Sequence, residues 1–190
     1  MVRFHREKCM DIIIELVKKE EKEILRNLME KYRYEFSQYD DLDTNNLGLY
    51  GYDYFDNYWT ENNRFPFFIK VNNKLAGFIM INDYPEVKIE TNYTLSEFFI
   101  MYKYRRRGIG KYAVNYVLNK FKGRWQLKYH PKNETSKIFW IKTISEYTNG
   151  KYELITSDPE IVYEDGTIGH VLIFDNGNNK VKGYNANVVG

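Results

Sequence analysis

The chain has 190 residues, 43% hydrophobic and 28% charged, which is enough for one domain with a substantial core and short for two. Its 28 basic and 26 acidic side chains leave a net charge of +2, so composition gives no general argument for a nucleic-acid or membrane partner. The single cysteine, Cys9, excludes an internal disulfide and a cysteine-based metal site. No apolar run approaches the ~20 residues of a membrane span, and the N-terminus lacks the apolar core of a signal peptide. We therefore expect a cytoplasmic protein.

The first half of the chain predicts a strand, two helices and a hairpin. A charged lead at 1–9 precedes an apolar strand at 10–17. Apolar side chains then recur at helical spacing over 18–39, which predicts an amphipathic helix. A polar, turn-rich stretch leads to a short aromatic helix predicted at 50–61, and strands at 65–71 and 75–81 flank a turn and predict a hairpin.

The second half alternates strands with helices, which indicates a mixed sheet covered by helices. The predicted elements are a strand at 94–104, a helix at 108–121, a strand at 124–130, a helix at 133–147, and strands at 152–156 and 170–174. Residues 10–175 are accordingly assigned to one domain. The tail at 176–190 is rich in Asn, Gly, Val and Lys without periodicity, so we expect it to be flexible.

The most informative segment is a basic, glycine-containing turn between the strand at 94–104 and the helix that follows it. It reads Tyr104-Arg105-Arg106-Arg107-Gly108-Ile109-Gly110-Lys111. Backbone N–H groups in the first turn of a helix lack intrahelical partners, and the helix dipole favours an anion there. Glycine lets the backbone approach phosphate oxygens without a Cβ in the way. The segment therefore predicts a diphosphate site.

The sequence of this turn also allows other interpretations. It lacks the third glycine of a dinucleotide fingerprint and the Gly-Lys-Ser/Thr ending of a nucleoside-triphosphate loop. A solvated basic patch is the simplest alternative for Arg105, Arg106 and Arg107 taken alone. A nucleic-acid site centred on the same arginines predicts steeply salt-dependent binding, which the near-neutral net charge disfavours.

The order of elements and two short motifs resemble the GNAT superfamily of acyl-CoA N-acyltransferases. The first motif is Arg or Gln, two residues, Gly, one residue, and Gly or Ala, which Arg105, Gly108 and Gly110 fill. The second motif is an Asn that opens a helix, with a small residue three further on and an aromatic seven further on. Asn133, Ser136 and Trp140 fill it. The resemblance implies a six- to seven-stranded, mostly antiparallel α/β (α+β) domain whose sheet splays into a V, with about four helices.

The resemblance also implies acetyl-CoA as the co-substrate and no metal. Backbone groups near Phe98, Phe99 and Ile100 would hold the acetyl group and the upper pantetheine, and the N–H of Ile100 would stabilise the oxyanion. The diphosphate would bind the amides and side chains of Arg105, Arg106, Arg107, Gly108, Ile109, Gly110 and Lys111. Asn133 would cap its helix, hydrogen-bond the pantetheine, or do both.

Acetyl transfer requires a neutral amine, so a base or a water path must lie near the acetyl group. Glu97 is the candidate base, because apolar neighbours on its strand would raise its pKa; facing solvent or ordering a loop is the structural alternative. Many relatives place a tyrosine acid at the seventh position after the Asn. Here that residue is Trp140, whose indole N–H is not a useful acid, so another hydroxyl such as Tyr147, water, or unassisted thiolate departure must serve. Trp140 itself is expected to pack against the pantetheine or the cleft wall.

The acceptor is expected at an acidic, aromatic segment that includes Asp40, Asp41 and Tyr54, where a cationic amine would be favoured by charge and cation–π contacts. A solvated loop is the structural alternative for each of these residues. The predicted function is acetyl-CoA-dependent N-acetylation of a primary amine of a small molecule or peptide by direct attack. The rival is an inactive CoA-binding or protein-interaction module of the same fold, and a homodimer is left open.

Overall fold

The computed structural model describes residues 10–177. Within them, seven strands form one sheet on which three α-helices pack. The strands are β1 (Ile12–Leu16), β2 (Phe65–Val71), β3 (Lys74–Asn82), β4 (Tyr93–Ile100), β5 (Arg124–Tyr129), β6 (Glu153–Ile155) and β7 (His170–Asp175), and the helices are α1 (Lys22–Phe36), α2 (Ile109–Lys120) and α3 (Glu134–Thr148). The predicted lead and residues 178–190 of the predicted tail lie outside the described range. None of the described helices is long and apolar enough to span a membrane.

The sheet is mixed, with the strand order β1-β2-β3-β4-β5-β7-β6. Neighbouring strands run antiparallel except β4 and β5, which run parallel. Helices α2 and α3 bury one face of the sheet around Ile109, Trp125 and Ile144. Helix α1 buries the other face, where Leu25 and Phe78 belong to a second apolar cluster. The expectation of a mostly antiparallel sheet of six to seven strands between helices is confirmed.

The sheet splays open between its two parallel strands. Pairing between β4 and β5 covers three positions, the last of which joins Leu95 to Leu127. Strand β4 nevertheless continues to Ile100 and β5 to Tyr129. Beyond Leu95 the main chain of β4 therefore has no strand beside it on the β5 side. The expected V-shaped cleft is present at this place.

A β-bulge in β4 decides which face of the sheet Glu97 occupies. Met80 of β3 pairs with Glu97, whereas the next residue, Ile81, pairs with Leu95, so Ser96 is an additional residue in β4. Side chains alternate between the two faces of a regular strand, and one extra residue reverses that alternation. The bulge thereby turns Glu97 away from the α2–α3 side and toward α1. The Ser96 hydroxyl donates to the Met80 carbonyl at 3.1 Å.

The second predicted helix is a short 3-10 turn. Residues 50–61 contain a 3-10 turn at Phe55–Trp59 instead of an α-helix. Gly51 and Tyr54 have positive φ values of 67° and 59°, which an α-helix cannot contain. Phe55 and Tyr58, three residues apart, are the buried pair, and a spacing of three matches the 3-10 repeat. Of the helices expected, three are α-helices in the described chain and the one at 50–61 is this 3-10 turn.

Asn176, the first residue of the predicted tail, is attached to the domain. Its side-chain oxygen accepts from the Gly123 N–H at 2.9 Å, and its amide donates to the Leu118 carbonyl at 2.6 Å. The Asn176 N–H also donates to the Gly123 carbonyl at 3.0 Å. These hydrogen bonds attach Asn176, which lies one residue beyond the expected domain end at 175, to the rest of the domain.

Gly77→Ala is expected to lower the free energy of unfolding by about 2 kcal/mol or more, since overpacking at a main-chain contact forces the backbone to shift. A Cβ on Gly77 would lie 1.9 Å from the carbonyl oxygen of Phe99 on β4. Urea unfolding followed by circular dichroism measures the loss. Gly48→Ala is the control, because its Cβ would meet no atom within 4 Å and only its positive φ adds about 1 kcal/mol of strain. Equal losses in both variants would contradict the close β3–β4 approach.

Candidate active site

A cleft of about 1420 Å³ follows the splay between β4 and β5. Its floor is the end of β4, including Glu97, Phe98, Phe99 and Ile100. The donor half is the part lined by the turn at 105–111 and by α3. The acceptor half is the part lined by α1, by residues 52–64 and 82–86, and by Lys128 and Tyr163. One continuous space therefore joins the predicted diphosphate turn to the predicted base.

Backbone donors are available at the turn before α2. No hydrogen bond within residues 10–177 uses the N–H groups of residues 106–111, and the next N–H along the chain, that of Tyr112, donates to the Gly108 carbonyl at 3.0 Å. Gly108 has φ = 75°, and a Cβ built on it would meet nothing within 4 Å. This open, amide-lined space at a helix N-terminus fits a diphosphate group.

The basic side chains of the turn have different surroundings. Arg105 donates to the Ile100 carbonyl through Nε and to the Glu35 carboxylate through its terminal nitrogen, both at 2.6 Å. Its backbone N–H donates to the Tyr102 carbonyl. Lys111 pairs with Glu146 of α3. Arg106, with φ = 58°, lines the cleft, whereas the exposed Arg107 does not.

Arg105 thus fastens the end of β4 to α1, and its main chain adds no free donor. The amides available to an anion begin at Arg106, and Ile109 contributes only its backbone because its side chain is fully buried in the core. Arg106 and Lys111 are the exposed cations of the turn that line the cleft, and of these Lys111 is already paired with Glu146. Main-chain N–H groups are therefore the principal donors that the turn offers to an anion.

The wall of the donor half is aromatic. The rings of Phe98 and Phe139 stack at 5.4 Å with an interplanar angle of 5°, and Trp140 packs on Phe98 at 5.1 Å. Gly110 lies against this stack, since an added Cβ would come within 3.2 Å of Phe139 and 3.3 Å of Phe98. Trp140 is buried, with 5% of its surface exposed. Position 140 therefore supplies packing to the cleft wall.

Asn133 caps helix α3. Its side-chain oxygen accepts from the Ser136 N–H at 3.0 Å, which is the bond expected of an Asn at the N-cap. Asn133 also lines the cleft, and its side-chain nitrogen takes part in no hydrogen bond within residues 10–177. The residue can therefore cap the helix with its oxygen and offer its amide donor to a ligand.

The N–H of Ile100 points into the cleft. Backbone N–H groups alternate sides along a strand, and Met101 donates to the Ala76 carbonyl on the β3 side. The preceding residue, Ile100, consequently directs its N–H to the opposite, unpaired side. A main-chain donor at this position can stabilise negative charge on a carbonyl oxygen without reorganisation.

Glu97 is half-buried on the acceptor side of β4. Burial raises the pKa of its carboxyl, while hydrogen bonds from the Tyr32 and Tyr52 hydroxyls and the positive charge of Arg33 oppose part of the rise. Burial also raises the pKa values of Tyr32 and Tyr52, and the Glu97 charge adds to both shifts. The carboxylate is thus oriented by two neutral phenols, in an environment that favours proton uptake.

The acceptor half is rich in aromatic and charged side chains. Tyr54 is 70% exposed and lines it. Asp40 is buried at its edge, where its carboxylate accepts from the Asp165 N–H at 3.2 Å. Asp41 is exposed and does not line the cleft. The structure therefore brings Asp40 and Tyr54 to the same cleft as Glu97 and leaves Asp41 outside it.

Sequence reasoning missed several residues of the cleft. Tyr32 reaches Glu97 from 65 positions earlier, and no site role was predicted for it. Tyr52, 45 positions earlier, belongs to the acidic, aromatic segment expected at the acceptor, but its position beside Glu97 was not predicted. Arg33 has no motif around it. Tyr147, considered as an acid, lies outside the cleft and donates to Asn119 at 2.9 Å. No group of three or more His, Cys, Asp or Glu side chains in the described range is arranged to hold a metal ion.

Comparisons with known proteins agree with this geometry. The model of the acetyltransferase (GNAT) family matches residues 23–142. This is more than half of the chain. The chain belongs to the GNAT acetyltransferase family. No curated protein matches it significantly in sequence.

Solved GNAT-family structures share the fold at low sequence identity. Diaminobutyrate acetyltransferase EctA from Paenibacillus lautus, solved with L-2,4-diaminobutyric acid and coenzyme A, is 15% identical with a TM-score of 0.59 over 90% of this chain and 99% of its own. A PaiA N-acetyltransferase from Thermoplasma acidophilum, solved with coenzyme A, is 14% identical with a TM-score of 0.54 over 87% and 99%. The ribosomal-protein-S18-alanine N-acetyltransferase from Escherichia coli is 12% identical with a TM-score of 0.56 over 92% and 99%.

Proposed function

We propose that this GNAT-family protein is an acetyl-CoA-dependent N-acetyltransferase that acts on a primary amine of a small molecule or peptide in the cytoplasm. The observation that carries the proposal is the single cleft that joins unpaired amides before α2 to Glu97. Two of the similar structures contain coenzyme A, and one of these also contains a diamine. These complexes support coenzyme A as the donor carrier and an amine as the acceptor.

The donor half is suited to hold acetyl-CoA. The amides of residues 106–111 would bind its diphosphate, and the side-chain amide of Asn133 would donate to its pantetheine. Phe98, Phe139 and Trp140 would provide an apolar wall. Acetyl-CoA, when bound, supplies the thioester carbonyl that an amine attacks directly.

Two groups of this chain would support the transfer, a backbone N–H at the carbonyl oxygen and a carboxylate at the attacking amine. The Ile100 N–H would stabilise negative charge on the carbonyl oxygen. The Glu97 carboxylate would accept the proton that the amine must lose, directly or through one water, because an ammonium has no lone pair for attack. Tyr32 and Tyr52 lie beside this carboxylate and lower its pKa. A thiol of pKa near 8.5 is a tolerable leaving group, so departure of the thiolate does not require a tyrosine at position 140.

Trp140 favours one alternative, a catalytically inactive CoA-binding or protein-interaction module. Thiol release from acetyl-CoA with a panel of polyamines, amino acids, aminoglycosides and peptides, combined with calorimetric titration of CoA, separates the two. We expect CoA binding together with amine-dependent thiol release. Binding without release on any amine would support the module, and absence of CoA binding would overturn both. Sedimentation of the same sample would test the homodimer.

A further inference from the structure

Arg33 differs from the other cations of the acceptor half. Arg64 pairs with Glu61 at 2.6 Å, and Lys128 pairs with Glu86 at 2.8 Å. Arg105, at the boundary with the donor half, pairs with Glu35. Arg33 lines the same cleft, yet within residues 10–177 its guanidinium has no carboxylate within 4.0 Å. Within the described residues it is the cation of this half that has no carboxylate partner.

The guanidinium of Arg33 also carries an unused buried donor. Its Nε atom is buried and has no acceptor in the described part of the chain. A buried N–H without a partner is unfavourable, and hydrogen bonds to a charged acceptor are stronger than those to a neutral one. The planar fork of an arginine matches the two oxygens of a carboxylate. A carboxylate on a ligand in the cleft would pair with the guanidinium of Arg33.

Arg33 lies in the same cleft as Glu97, the candidate base. It follows Tyr32 on α1 and lines the cleft that Glu97 also lines, and its charge opposes the rise in the Glu97 pKa. Glu97 and Arg33 therefore present an anion and a cation to one ligand. An amine near Glu97 and a carboxylate at Arg33 would complement both charges, whereas a polyamine would place a second positive charge in the field of Arg33.

We infer that Arg33 binds a carboxylate of the acceptor, so that the acceptor is a small primary amine that also carries a carboxylate. This inference rests on the proposed function. A diamino acid has the two groups, and so does a lysine at the C-terminus of a peptide. The feature common to both, an amine and a carboxylate in one molecule, is what Arg33 and Glu97 recognise.

Matched acceptors test this inference. Ornithine and lysine are compared with putrescine and cadaverine, which differ from them only by loss of the carboxylate, and an N-blocked peptide ending in lysine is the third arm. Thiol release gives kcat/KM for each acceptor. Calorimetric titration of the same compounds into the CoA-saturated protein gives their affinities without turnover.

We expect the wild-type protein to prefer the carboxylated member of a pair about tenfold or more, and Arg33→Met to abolish most of that preference. Lys31→Met is the matched control, because it removes a cation from the same helix at an exposed position outside the cleft and should keep the preference. Whether the free diamino acid or the peptide is preferred identifies which of the two supplies the carboxylate that Arg33 binds. CoA affinity checks that both variants are folded.

Equal values for both members of each pair, or a preference that survives in Arg33→Met, would overturn the role of Arg33 while leaving acetyl transfer intact. If no acceptor were turned over but carboxylated compounds bound more tightly in an Arg33-dependent way, the proposed function would fail and the recognition would stand. If no compound bound and none was turned over, the inference would be overturned as well.

Discussion

Glu97→Gln is expected to lower kcat for acetyl transfer by a factor on the order of 10² or more, because an amide cannot accept the proton of the attacking amine. The wild-type kcat/KM should rise with pH through the raised pKa of Glu97, since the carboxylate is the active form. This acid limb should be absent in Glu97→Gln. Initial rates of thiol release between pH 5 and 9 measure both effects.

Tyr32→Phe should shift the acid limb of the kcat/KM profile to higher pH. The Tyr32 hydroxyl hydrogen-bonds the Glu97 carboxylate and lowers its pKa, so its removal favours the protonated form. Tyr34→Phe on the same helix is the control, because Tyr34 is 72% exposed. An unchanged acid limb in Glu97→Gln would show that another group, or water alone, accepts the proton.

Stability distinguishes loss of chemistry from loss of folding in Glu97→Gln. A carboxyl whose pKa is raised by folding stabilises the folded state below its unfolded pKa, and this contribution is lost as pH rises through the folded pKa. Glu97 therefore costs stability at neutral pH. We expect a higher urea midpoint for Glu97→Gln at pH 7.5 and a smaller difference as the pH falls. An inactive variant that is more stable than the wild type would identify a functional carboxylate.

Gly108→Asp is expected to weaken CoA binding by about tenfold to a hundredfold. The new carboxylate would stand beside amides that are free for a diphosphate, and two anions at one helix N-terminus repel each other. The residue must also retain φ = 75°, which favours glycine. Calorimetric titration with CoA measures the effect.

Gly150→Asp is the matched control for this experiment. Gly150 has φ = 77°, an added Cβ there would meet nothing within 4 Å, and the residue lies outside the cleft. The two substitutions therefore impose the same backbone strain and differ in their distance from the proposed ligand. Equal CoA affinity in both variants would show that the turn does not bind the diphosphate. The proposal that acetyl-CoA is the donor would then lose its main support.

Much of the fold was predictable because local signals agreed with the tertiary structure. The β2–β3 hairpin follows from Asn72 and Asn73, whose φ values of 48° and 59° suit a tight turn between strands. The helix after Gly108 follows from helical periodicity and a glycine-containing start. The type of helix at 50–61 was not predictable, because the spacing of its buried residues fits more than one helical repeat. Positive φ values at Gly51 and Tyr54 interrupt an α-helix there and leave a 3-10 turn.

The family, the order of the elements and the glycine-containing turn at 105–111 were predictable from the sequence, because each depends on residues that are close together in the chain. The surroundings of Glu97 were not predictable in this way. One extra residue at Ser96 turns its carboxylate toward α1, and Tyr32, Arg33 and Tyr52 reach it from distant segments. The packing of α1 likewise pairs Arg105 with Glu35 and leaves Arg33 without a carboxylate partner within residues 10–177. Such pairings depend on strand register and helix packing, which no local pattern specifies.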